Sequence, residues 1–153
     1  MTSISPRPAW AARAVTTQPS VTRADHAELL VALGEPARAL EVLADAKDGF
    51  ARRPRARAEV EQGNTLLWDV DDPEAARAAF QRALVADPSS WQAHHGLAAY
   101  HRARAIRFND ASAADRSLAE IREVRRAAPD EAAGIRLASE HAAVVAAVSR
   151  RGR

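Results

Sequence analysis

Residues 71–88, DDPEAARAAFQRALVADP, decide the fold of this chain. With a helical period, Ala76, Phe80, Ala83 and Pro88 fall on one stripe, and the proline stops the helix. Asp72 suits the N-cap, Pro73 the first helical position, and Glu74 the positive helix start. Small residues at Ala76 and Ala83 let a second helix approach closely, while Phe80 fills the space between them. Such a helix is built to pack on both sides, as the second member of a helix–turn–helix pair does.

The same punctuation recurs along the chain. Gly34, Glu35 and Pro36 precede Ala37 and Ala39, just as Asp71, Asp72 and Pro73 precede Ala75 and Ala76. The breaks predict a first helix over about 22–33, with Leu29, Leu30 and Leu33 on its apolar face. A second runs from Pro36 to near Asp48 and Gly49, carrying Ala39, Leu40, Leu43 and Ala46. A third follows Pro54, with Val60, Leu66, Leu67 and Trp68, and stops at Asp71. Pro88 opens a fifth containing Trp91, Leu97, Tyr100 and Ile106, which Asn109 and Asp110 close. Leu118, Ile121 and Val124 mark a sixth. Pro129 starts a last helix with Ile135, Leu137, Val144, Val145 and Val148.

Pro54 and Pro88 lie one 34-residue period apart. This spacing, with Ala76, Phe80, Ala83 and Pro88, resembles the tetratricopeptide (TPR) repeat. The likeness covers about 21–149 and is uneven. Val60, Gly63, Asn64 and Leu67 stand where a first-helix signature has an aromatic, Leu, a small residue and Tyr. His94, Leu97, Ala98 and His101 match at Leu and the small residue only. Ser117, Ile121, Val124 and Pro129 match loosely. Other α-solenoids and irregular helical bundles share alternating helices with small contact residues. The resemblance implies an all-α, right-handed α-solenoid of about three TPR-like helical pairs plus a C-terminal capping helix. The expected organisation is a flexible N-terminal tail at 1–20, the repeat domain at 21–149 and a basic C-terminal tail at 150–153.

Composition agrees with helices. About a quarter of the residues are alanine and nearly all the basic ones are arginine, with aromatic residues at 5%. That bias also suits a high-GC bacterial genome. The net charge of +2 gives little warrant for a nucleic-acid partner. Without cysteine, disulfides and thiolate metal sites are excluded. No apolar run approaches the ~20 residues a bilayer span needs. Pro6, Pro8 and Arg13 interrupt any secretory apolar core, and the acid-free N-terminus is read as a cytoplasmic tail rather than an organelle transit peptide.

Motifs for chemistry are sparse. His94, His95 and His101 lack the i, i+3 or i, i+4 spacing of a helical metal site and read as structural. Arg52, Arg53, Arg55 and Arg57 bracket Pro54 and read as a solvated loop, with an acidic or phosphate partner as the alternative. Asp69, Asp71 and Asp72 suit capping better than a Ca²⁺ loop. No phosphate loop, nucleophile elbow or catalytic triad motif is present, so neither an enzyme nor a cofactor is expected.

In the TPR arrangement first helices line a concave face. That places Glu61, Thr65 and Trp68 beside Gln92, His95, Ala99 and Arg102, with Glu28 ahead of them. The expectation is a non-catalytic protein–protein interaction module that captures a peptide or helix. Trp68 is its anchor if it faces the groove, and the packing alternative puts Trp68 in the core. Glu61, His95 and Arg102 set polar specificity. The alternatives are a helical regulatory or nucleic-acid-associated protein using its arginine clusters, and a self-assembling structural protein.

Overall fold

In the computed structural model, residues 19–47, 49–128 and 131–151 are described, with side chains from residue 23 onward. Among them the chain forms seven α-helices and no strand. They are α1 (Pro19–Ala32), α2 (Pro36–Val42), α3 (Arg52–Trp68), α4 (Pro73–Ala86), α5 (Trp91–Phe108), α6 (Ala111–Ala127) and α7 (Ala132–Arg151). A single 3₁₀ turn, Gly49–Ala51, leads directly into α3.

Local chemistry sets most of the boundaries. Gly34 takes φ +77°, and the Gly34 and Glu35 N–H groups donate to Val31 O at 3.0 Å and Leu30 O at 2.9 Å. This Schellman closure ends α1 and needs the left-handed conformation glycine tolerates. Asp72 accepts the Ala75 N–H at 3.0 Å, Ser90 the Ala93 N–H at 3.4 Å, and Asp110 the Ala113 N–H at 3.1 Å. Each side chain satisfies a donor that a helix start leaves open. Asn109, at φ 51°, closes α5 as expected.

Three boundaries differ from the sequence reading. The second helix stops at Val42, six residues before Asp48, because the Arg55 guanidinium donates to Leu43 O and to Ala46 O at 3.2 Å. A donor twelve residues away satisfies carbonyls that a continued helix would have used. Pro54 consequently sits inside the first turn of α3, where its missing N–H costs nothing, and the break falls before Gly49. Pro88 does not open α5. The Asp87 carboxylate accepts the Ser89 N–H at 3.0 Å, and the helix starts only at Trp91.

The expected tail at 1–20 lies outside the described residues up to residue 18, and α1 already covers Pro19 and Ser20. Asp48 and Pro129 lie outside them too. Arg150 and Arg151 form the last turn of α7 rather than a tail.

Successive helices pack on one another, and α1, α3 and α5 each also pack on the next odd-numbered helix. Among the described residues, the even-numbered helices make no such contact with each other. Apolar cores therefore follow one another along the chain. Ala27, Leu30, Val31, Ala39 and Leu43 form one, and Leu67, Ala76, Phe80 and Leu97 the next. Ala98, Ile121, Val124, Ala138 and Val145 form the last.

Phe80 is wholly buried between α3 and α5, as expected. Its ring occupies the space two glycines leave open. A Cβ on Gly63 would meet Phe80 Cε1 at 2.6 Å, and one on Gly96 at 2.3 Å. Gly63 departs from the repeat signature because the aromatic needs that volume.

Several expected apolar faces are rotated. Leu29 and Leu33 are exposed while Ala27, Leu30 and Val31 are buried. Ile106 is exposed. In α7 the buried stripe is Gly134, Ala138, His141, Val145 and Ser149, and Ile135 and Val144 stay outside. Small side chains face the neighbouring helix because they allow close approach, which leaves larger ones on the flanks.

Candidate functional site

Trp68 is the last residue of α3 and is 60% exposed, so the core is not its place. The chain then reverses through Asp71, at φ 59°, into the capped start of α4. This turn lays Trp68, Asp71, Pro73 and Glu74 opposite the second half of α5. Between them is a cleft of about 410 Å³, closed on the α5 side by Tyr100, Ala103, Arg104, Arg107 and Phe108. Phe108, also 60% exposed, gives the cleft a second aromatic wall.

Polar contacts hold the cleft in shape. The Tyr100 hydroxyl donates to Glu74 Oε1 at 2.6 Å, although the ring is only 1% exposed. Arg104 reaches the same oxygen at 3.4 Å, and Arg77 lies 3.8 Å from Glu74 Oε2. The Glu74 charge is thus met by two guanidinium groups. Arg104 and Arg107 stand 5.5 and 5.6 Å from the Phe108 ring centroid, within cation–π reach. Arg107 has no ion-pair partner among the described residues. The cleft combines two accessible aromatic faces with a cationic edge.

The sequence-predicted stripe is divided. Glu61, Thr65 and Gln92 are exposed but do not line the Trp68 cleft. His95 turns toward α7, with its ring centroid 4.6 Å from that of His141. Arg102 is half-buried beside this pair. Burial foremost, and the Arg102 charge next, hold the His95 imidazolium below its usual pKa. Burial, Arg102 and His95 together push His141 down to about 4. Burial also lowers the Arg102 pKa. His95 Nε2 and His141 Nδ1 are buried without a hydrogen-bond partner. Ala99 is buried, and Glu28 pairs with Arg57.

The other two α5 histidines are also packing residues. His94 Nδ1 lies 2.7 Å from Glu120 Oε2 of α6, and His101 lies edge-on to Tyr100 at 5.0 Å. Among the described residues no group of three or more His, Asp or Glu is arranged to hold a metal ion. Nor is any helix among them long and apolar enough to cross a membrane.

Arg104, Arg107 and Phe108 escaped the sequence reading. Their signal is the i, i+4, i+8 row Tyr100, Arg104 and Phe108, which runs along one face of α5. It lies beside the row through His95 and Arg102 that the repeat pattern favoured. No known protein-family model matches the chain, and no curated protein or solved structure does either.

Proposed function

We propose that this chain is a TPR-like, right-handed α-solenoid, with three helical pairs capped by α7, that works as a non-catalytic protein-interaction module. Packing of each odd-numbered helix on the next, with none between even-numbered ones, supports that architecture. The observation that carries the function is the cleft in which Trp68 and Phe108 stand exposed beside Arg104 and Arg107. Large accessible aromatics next to arginine are the composition of interface anchors. The partner is a peptide or helix that offers an apolar side chain to Trp68 and Phe108 and an acidic group to Arg107.

Selection of a random peptide display library on the purified protein tests this reading. Selected sequences should pair an apolar or aromatic residue with Asp or Glu. Their amide chemical-shift changes should centre on Trp68, Arg107 and Phe108. Peptides that perturb only the Glu61, Thr65 and Gln92 surface, or a set without acidic residues, would contradict it.

A further inference from the structure

A second cavity, of about 840 Å³, lies at the opposite end of α3 and has no part in the Trp68 cleft. The arginine run at 52–57 diverges around it. Arg57 leaves to pair with Glu28, and Arg53 is exposed without an ion-pair partner among the described residues. Arg52 and Arg55 line the cavity together with Lys47 and Arg82.

The four cations are held differently. Arg55 gives its Nη2 to the carbonyls of Leu43 and Ala46. Those acceptors are neutral, and Arg55 has no ion-pair partner among the described residues. The Arg82 Nε donates to Glu59 Oε1 at 2.9 Å, and the Glu59 side chain is 9% exposed. Glu59 anchors Arg82 by that one nitrogen, and the two Nη groups have no partner among the described residues. Lys47 and Arg52 are exposed and likewise have no ion-pair partner there. Among the described lining residues, four cations face one carboxylate, a surplus of three positive charges. Arg52 is also the first residue of α3, so the partial positive charge of a 17-residue helix falls on the same side. Val85, 81% exposed, and several alanines supply an apolar wall.

We propose that this cavity binds a small organic phosphomonoester. A phosphomonoester near its full dianionic charge matches the surplus better than a carboxylate with one charge. Arg52, Arg82 and Lys47 receive the phosphate, since guanidinium forks and ammonium groups are the usual phosphate donors. The organic part lies along Val85. A cavity of this size belongs to the range of small-molecule sites, on the order of 300–1,000 Å³.

Titration of the full ¹⁵N-labelled chain with AMP, ribose 5-phosphate, phosphoserine, adenosine and inorganic phosphate tests the proposal. At least one of the three organic phosphomonoesters should give saturable shifts at Lys47, Arg52 and Val85 in the millimolar range or below. Adenosine should give none, and inorganic phosphate should bind at least tenfold more weakly than the best ester. Arg52→Glu, at an exposed position, should keep the fold and weaken ester binding at least tenfold. Lys47→Glu should act in the same direction. Absence of saturable shifts with all three esters would overturn the site. So would shifts centred elsewhere, unchanged affinity in a folded Arg52→Glu variant, or equal binding of adenosine and AMP.

Discussion

Two neighbouring residues of α5 face opposite kinds of contact. Gly96 receives the Phe80 ring in a dry, fully packed joint between α3 and α5. His95 meets His141 in a joint between α5 and α7 where both imidazoles keep a buried nitrogen unpartnered and Arg102 stands close. The first joint depends on shape, so its strength should be indifferent to pH. The second depends on two rings staying neutral, so it should weaken in acid. One helix thereby carries a permanent contact and a conditional one.

The largest expected effect belongs to the dry joint. Phe80→Ala should cost about 3–5 kcal/mol, the usual range for a core phenylalanine. A thermal or denaturant melt measures it, and an unchanged midpoint would remove Phe80 from the centre of the fold. Gly96→Ala sharpens the point. Its Cβ would fall 2.3 Å from the ring, so overpacking should cost about 1–3 kcal/mol. In a Phe80→Ala background the same change should become favourable by roughly 0.5–1 kcal/mol, because only helix propensity remains. A double-mutant cycle reads that reversal of sign.

Acid tests the other joint. The folded pKa of His141 is about 4, below the ordinary value of 6.5. In the interval between them the unfolded chain binds the proton that the folded chain refuses. Stability from this group is therefore complete above about pH 6.5 and is lost as pH falls toward 4. His95 is shifted in the same direction and adds to the loss. The wild-type midpoint should fall over this window more steeply than that of His141→Gln. Parallel curves for the two proteins would leave the joint without a role for neutral imidazole. A smaller effect comes from the α4 cap: Asp72→Ala should cost ~1 kcal/mol by losing the bond to the Ala75 N–H. Equilibrium denaturation resolves it.

Much of the dry joint was readable from sequence, since a cap, a proline and small residues around Phe80 act within a few positions of one another. The alternation of helices and the closure at Asn109 were local in the same way. The end of α2 was not, because Arg55 reaches it from the next helix. Pro88 does not mark the start of α5 because the side chain of Asp87 builds a turn that competes with a helix start. The direction of His95 depends on His141 of α7, 46 residues farther along. Trp68 stands out in the sequence, but its neighbours in the cleft do not. The TPR pattern selected the His95 row of α5, whereas the turn at Asp71 delivers Trp68 to the row of Tyr100, Arg104 and Phe108.

Trp68, exposed in the same cleft as Arg107, serves binding rather than folding in the function we propose. The direct measurement compares wild type and Trp68→Ala by calorimetric titration with the best library-selected peptide, alongside a thermal melt of each. The account predicts an unchanged melting midpoint and a loss of about 1–4 kcal/mol in binding, as for an interface anchor. Equal affinity for the two proteins, or a variant that loses its fold together with its binding, would contradict it.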